Sequence, residues 1–572
     1  MMQAASSQVK SNACKALHLP CSPPKAVLDS PKIPPIPPPR RVCPLAAIFR
    51  CTRGCVVAHA RLARAKLARG RAWSMALLPS PPRPRKQRCP PHPMISLSPS
   101  LLTLILLVPF LSLLLLHRSS FPGSSSCSPA TSRRGGSAAG FSGDLRDIEF
   151  SWNHLPFTAS RLPPTKLKIA VFSRKWPVAS APGGMERHAH TLHTALAARG
   201  HRVHVFTSPP PHTEAAPPRN PEGPQLHFLD GEPGQWRCDE AWKLYEAEGE
   251  NDPFDVIHSE SVAVFHRWAR GVDNLVVSWH GISLEALHSG IFQDLARGED
   301  EPMSPALNQS LANSVFRVLS EVRFFRSYAH QVAISDSTGE MLRDVYQIPS
   351  RRVHVILNGV DEAQFEPDAA LGRAFREEVG VPKGADLVLG VSGRLVKDKG
   401  HPLLYEAFSK LALRHPNVYL LIAGKGPWEN RYMDLGRNAK VLGAVPPGKL
   451  KAFYNALDVF VDPTLRPQGL DLTLMEAMQC GKPVVATRFP SIKGSIVVDE
   501  EFGYMFAPNV ESLLESLEAV VAEGARRAAR RGRACREYAR SMFAATKMAL
   551  AYERLFLCVK NETFCAYPAE FD

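Results

Sequence analysis

The sequence predicts an α/β chain with two doubly wound parallel sheets in tandem, facing each other across a cleft. Three observations predict it. From Lys166 onward, strand and helix signals alternate, the pattern of a parallel sheet covered by helices. A second alternating set begins at Leu387. Within it, Pro463–Thr487 (PTLRPQGLDLTLMEAMQCGKPVVAT) reads as loop, helix, Gly stop and buried strand. Such a unit aims a helix N-terminus, with its free N–H groups, at the C-terminal edge of a sheet, where a diphosphate is welcome.

The chain has 572 residues, too many for one ordinary core. Its net charge of +15 is concentrated at the start. Residues 1–93 hold 17 Lys and Arg and one acid, Asp29, and the remainder carries a net −1. A neutral body does not suit nucleic-acid binding. Residues 1–93 are rich in Pro, Arg and Ala without periodicity and are expected to be disordered. Met94–Leu116 is an uncharged run that, at about 1.5 Å per residue, reaches across a bilayer core. Arg83, Arg85, Lys86 and Arg88 precede it, so residues 94–117 are expected to be a single-pass type II anchor with a Golgi-lumenal body. The alternatives are a plastid transit segment or a cleaved signal peptide. Residues 118–165 are expected to be a stem, flexible where Ser and Gly dominate.

The first sheet domain is expected over residues 166–365. Its strands read at Leu167–Ser173, His201–Ser208, Leu226–Leu229, Val256–His258, Leu275–Trp279, Gln331–Ser335 and Val353–Leu357. A Gly loop leads into a helix from about Met185 to Arg199. The second domain is expected over residues 385–510, with strands at Leu387–Ser392, Val418–Ala423, Val441–Gly443, Val459–Val461 and Pro483–Ala486. Helices read at His401–Arg414, Gly448–Asp458 and Asp471–Cys480, with Asp471 as a side-chain cap. Residues 511–572 form a helical tail in which Arg526–Arg540 reads as a solvated basic face. The six cysteines after residue 93 are scattered without a C-x-x-C, so no metal site is expected. Cys558 and Cys565 are read equally as a disulfide or as two thiols.

Four motifs carry chemistry. Gly393–Gly400 (GRLVKDKG) follows a strand end, and its cations Arg394 and Lys399 suit a leaving diphosphate. Glu476 suits ribose hydroxyls. Gly183 and Gly184, followed by Glu186, allow close backbone approach to a substrate. His280, in Ser278–Gly281 (SWHG), suits a sugar hydroxyl.

With PGGMERHAHTLHTALAARGHRVHVFT, VSWHG, ILNGVD, VSGRLVKDKG, LLIAGKGP, LGAVP and GLDLTLMEAMQCGKPVVAT in this order over residues 166–510, the body resembles the retaining group 1 glycosyltransferases (glycosyltransferase family 4) of GT-B fold. The resemblance implies a UDP- or GDP-sugar donor held mainly by the C-terminal domain. It also implies a glycan, lipid or small-molecule acceptor on the N-terminal domain, retention at the anomeric carbon, no cofactor and no required metal. It assigns Arg394 and Lys399 to the diphosphate, Glu476 to the ribose and His280 to the donor sugar. Gly183, Gly184, Glu186, Asn358, Gly393, Gly424, Gly469 and Leu470 join the substrate-binding set. It further implies a tail helix crossing back onto the first domain. One departure stands out. The family's Glu, seven residues, Glu pattern begins here at Gln468, and Asp471 replaces a usual Gly. Gln468 can still hydrogen-bond a sugar hydroxyl and stands with Arg394, Lys399 and His280 among the catalytic candidates, but it lacks the negative charge that steadies an oxocarbenium-like state. The alternatives are an inactive nucleotide-sugar-binding scaffold or a nucleotide-sugar epimerase of the same architecture.

Overall fold

The computed structural model describes residues 140–177, 183–210, 222–297 and 300–569. Two parallel sheets organise them. The first has seven strands: β1 (Lys168–Phe172), β2 (Arg202–Thr207), β3 (Gln225–Phe228), β4 (Val256–Glu260), β5 (Leu275–Trp279), β6 (His330–Ala333) and β7 (Val353–Val355), in the order β3-β2-β1-β4-β5-β6-β7. The second has six: β8 (Leu387–Ser392), β9 (Val418–Ala423), β10 (Ala439–Gly443), β11 (Val459–Asp462), β12 (Val484–Thr487) and β13 (Gly503–Phe506), in the order β10-β9-β8-β11-β12-β13. Every pairing in both sheets is parallel. The strand order therefore reverses between β1 and β4 and between β8 and β11, and loops at those strand ends part to leave a crevice.

The helices that shape the site are α1 (Gly184–Ala198), α2 (Ser283–Leu295), α3 (Pro305–Phe324), α4 (His401–Arg414), α5 (Leu472–Gln479), α6 (Val510–Met542) and α7 (Ala545–Lys560). α4 and α6 cover one face of the second sheet through Leu404, Phe408, Leu411, Leu513 and Leu517. In the basic stretch of α6, Ala528, Gly532, Cys535 and Ala539 are buried at helical spacing while the arginines lie outside that stripe. Gly532 packs so closely that an added Cβ would lie 1.9 Å from the Gly481 carbonyl oxygen. α7 leaves the second domain and packs on the first, its Met548, Tyr552, Leu555 and Phe556 joining Ile169, Val171, Val203 and Val205. This strap ends at a Cys558–Cys565 disulfide.

Two expectations are corrected. Residues 140–157 are not a flexible stem. Leu145, Trp152 and Leu155 are fully buried in the core under α7. Buried Asn153 donates to the Met542 carbonyl (2.8 Å) and accepts from the Leu357 amide (2.9 Å), tying this segment to both domains. The Ser/Gly-rich composition upstream hid these few large apolar side chains. The basic segment 1–93 and the expected span 94–117 lie outside the described residues. No helix among the described residues is long and apolar enough to cross a membrane; even α6, the longest of them, carries the Arg-rich face. The membrane and Golgi placement is set aside accordingly.

Candidate active site

The second domain contributes two loops from neighbouring strands, β8 and β11. The loop after β8 runs through Gly393 and Arg394 to Lys399 and Gly400; the loop after β11 runs from Pro463 to Asp471. They are locked together. The Leu465 amide donates to the Asp398 carbonyl at 2.9 Å. Gly400, at φ +73°, lies so close to Pro463 that an added Cβ would sit 1.7 Å from its carbonyl oxygen. Gly424, at φ +154°, likewise lies against the Gly393 carbonyl, with an added Cβ at 1.8 Å. It shapes the loop from behind, whereas an added Cβ at Gly393 meets nothing within 4 Å.

Asp471 occupies the cap position of α5, but its side chain does not cap the helix. Its carboxylate instead accepts from Lys399 Nζ at 2.6 Å. The cap reading is corrected: the nearby cation outcompetes the helix amides. The first turn of α5 is thus left without a side-chain cap, beside a lysine whose charge is shared with an acid. Arg394 is exposed and has no ion pair among the described residues.

Asp462, at the end of β11, is buried beside Asp471. Burial and the Asp471 charge push its carboxyl up. At Asp471, burial opposes ionisation, but Lys399 and Arg466 outweigh it and hold the carboxyl below the usual range. A proton held more tightly by the folded than by the unfolded chain stabilises the fold only while it is retained. Asp462 therefore makes stability fall as pH rises above the ordinary carboxylate range. Asp462→Asn is expected to flatten the fall in melting temperature between about pH 4 and about pH 7. An unchanged slope would place the titrating group elsewhere.

Glu476, inside α5, is fully buried. Tyr454 donates its hydroxyl to Oε2 at 2.6 Å, and Arg187, from α1 of the other domain, reaches across to pair with Oε1. Burial pulls the Arg187 guanidinium down from its usual value. Arg187 sits beside Glu186 in the first turn of α1, and the Glu186 carboxylate folds back against Gly183, where an added Cβ would meet it at 2.6 Å. Gly184 is open on that side.

His280 does not offer its Nε2 to a ligand. Its Nε2 is 2.5 Å from Glu260 Oε2, and its ring lies 4.6 Å from that of buried His188. Beneath it a chain of hydrogen bonds has one direction. His193 Nδ1 donates to the Ala189 carbonyl (2.7 Å), so its Nε2 accepts from His258 Nδ1 (2.9 Å). His258 Nε2 then accepts from Ser278 (2.8 Å), which accepts from Tyr552 (2.7 Å). This chain braces α1, β4, β5 and α7 behind the cleft. His188, Glu260 and His280 offer ligand atoms within 4.8 Å of one another, as do His193, His258 and Glu260, and either set could hold a cation here.

Gln468 is buried, and its backbone and side chain both face the first domain. Its carbonyl accepts from Ser335 (2.9 Å) and Thr338 (3.1 Å), and its Nε2 lies 3.0 Å from His288 Nδ1 on α2. Next to it, Arg466 donates to Glu285 of α2 at 3.0 Å. Gly469 and Leu470 follow on the same loop. Asn358 is buried, at the start of the connection between the domains, and its Oδ1 has no hydrogen-bond partner among the described residues.

The structure thus brings Lys399, Gln468, Gly469, Leu470 and Glu476 to one edge of the second sheet, with Arg187, Glu285 and His288 reaching them from the first. The last three escaped the sequence reading. Each lies on a helix whose face is set by the other domain, although Arg187 adjoins a recognised motif.

Comparison with known proteins follows the same division. Residues 182–364 match the model of glycosyltransferase family 4, and residues 373–542 that of glycosyl transferases group 1. The chain is a group 1 glycosyltransferase. This glycosyltransferase is 28% identical over 384 residues to the D-inositol 3-phosphate glycosyltransferase of Xylanimonas cellulosilytica, covering 61% of this chain and 88% of the relative. It is 26% identical over 425 residues to glycogen synthase of Mycobacterium tuberculosis, covering 69% and 95%. In fold it is similar to sucrose-phosphate synthase from Thermosynechococcus elongatus, with a TM-score of 0.54 at 20% identity over 68% of this chain and 98% of that one. The two Rossmann-like sheets are those of the GT-B fold.

Proposed function

We propose that this glycosyltransferase moves a hexosyl group from a UDP- or GDP-sugar to a hydroxyl of a glycan, lipid or small-molecule acceptor, with retention and without a required metal. One observation carries the reading: an uncapped helix end, an unpaired Arg394 and the Lys399–Asp471 pair share the sheet edge that faces a second parallel sheet. The diphosphate lies against the first turn of α5, with Arg394 and Lys399 offsetting its charge. Glu476 accepts from the ribose, which takes the place of Arg187 on Oε1 while Tyr454 keeps Oε2. Gly183, Gly184 and Glu186 border the acceptor side, and His280, held by Glu260, faces the sugar. Asn358, Gly393 and Gly424 shape the loops around the donor. Catalysis comes from orientation and from stabilising the leaving diphosphate.

The test is turnover of a panel of UDP- and GDP-sugars by the wild type and Arg394→Ala. Because Arg394 is exposed and unpaired, the variant should fold normally and lose at least about tenfold in kcat/KM, about 1.4 kcal/mol of barrier. An unchanged rate would remove the diphosphate role. Nucleoside diphosphate binding without turnover of any donor would favour the inactive-scaffold reading.

A further inference from the structure

Glu285 is a buried carboxylate with one oxygen used and one unused. It lies on α2, 1% exposed. Its Oε2 accepts from Arg466, and its Oε1 is buried without a hydrogen-bond partner among the described residues. Leaving a charged oxygen buried and unpaired is costly, more so than for a neutral group. Burial accordingly pushes its carboxyl up, with the Arg466 and Lys399 charges opposing.

Its surroundings give the unused oxygen a direction. Glu285 sits between two glycines, one from each domain. An added Cβ on Gly281 would lie 3.2 Å from Oε2, and one on Gly469 would lie 2.5 Å from Oε1. Gly281 follows His280, and Gly469 precedes the turn into α5, so the carboxylate stands where the two halves of the donor site meet. One turn further along α2, His288 engages the Gln468 amide. The loop's own side chain at that point is neutral: its Nε2 is engaged by the first domain, and its Oε1 is buried without a hydrogen-bond partner among the described residues.

We propose that Glu285 supplies the carboxylate of the donor-sugar subsite, its Oε1 accepting a hydrogen bond from a hydroxyl of the transferred hexosyl group. The negative charge that Gln468 lacks is delivered from the facing helix. This rests on the nucleotide-sugar reading above. A merely structural Glu285–Arg466 bridge accounts for Oε2 but leaves Oε1 unexplained.

Glu285→Gln keeps the shape and an acceptor for Arg466 while removing the charge. The experiment measures affinity for UDP and GDP by calorimetry, and kcat/KM for the best nucleotide-sugar of the panel. It adds donors lacking single sugar hydroxyls, assayed on both proteins. The expected result is nucleoside diphosphate affinity within about twofold of wild type but kcat/KM lower by about tenfold or more. One hydroxyl deletion should be markedly costlier in the wild type than in the variant, whose neutral amide makes the weaker hydrogen bond. Wild-type kcat/KM in the variant overturns the proposal. So does a wild type indifferent to every hydroxyl deletion, a result that needs no folded variant. Failure of the wild type to bind UDP or GDP would instead overturn the donor reading itself, and this inference with it.

Discussion

Glu476→Ala is expected to remove both donor binding and a large part of the chain's stability. Glu476 is fully buried in α5 and holds two partners, the Tyr454 hydroxyl and the Arg187 guanidinium from the opposite domain. Truncation leaves a largely buried guanidinium without its carboxylate and a buried phenol with Ser392 as its remaining hydrogen-bond partner. Removing one partner of a buried ion pair costs about 3–5 kcal/mol. The same change removes the proposed acceptor for the ribose hydroxyls, so UDP or GDP affinity should fall by at least about tenfold. Glu476→Gln separates the two effects. It can keep the Tyr454 bond and the packing, so part of the stability returns, while its NH2 group meets the Arg187 donors and the charge facing Arg187 and the ribose is gone. Chemical denaturation and calorimetric titration of the three proteins measure this. A Glu476→Ala protein as stable as wild type would mean that the cross-domain pair contributes nothing.

Gly400→Ala is expected to be comparably severe, although it adds one methyl group. Two costs combine. The residue is at φ +73°, where a Cβ costs roughly 1–2 kcal/mol, and the methyl would overlap the Pro463 carbonyl, an overpacking cost of about 1–3 kcal/mol. The Pro463 carbonyl cannot swing away as a side-chain tip could. Relief requires the loop after β11 to move off the loop after β8, which stretches the Lys399–Asp471 contact. Melting temperature and nucleotide affinity should therefore fall together. By contrast, Gly184→Ala meets nothing within 4 Å and should cost little stability. Equal effects at the two sites would show that conformation and contact at Gly400 are not decisive.

Most strands were readable because they are short apolar runs buried on both faces, whereas β13 (Gly503–Phe506), a half-buried edge strand, was not among those expected. β1, β5, β9 and β12 lie within a residue or two of where periodicity and turn residues put them. α4 matches its expected bounds because Gly400 and Pro402 mark its start. The partners of the site were not readable in the same way. Glu285 and His288 are ordinary helix residues until α2 is laid against the loop of Arg466 and Gln468. Asp471 was misread for a related reason: its position is that of a cap, but Lys399, 72 residues away, holds its carboxylate. His280 was recognisable in its motif, but its hold on Glu260 depends on β4 and β5 being neighbours. Local rules located the loops and helix ends; tertiary pairing decided which atoms remain available to a ligand.

The most direct measurement is a crystal structure of the protein soaked with UDP or GDP. The account predicts a diphosphate against the first turn of α5, within hydrogen-bonding distance of Arg394, with the ribose on Glu476 in place of Arg187. A nucleotide bound elsewhere, or one that leaves the Arg187–Glu476 pair intact and Arg394 in solvent, would contradict it.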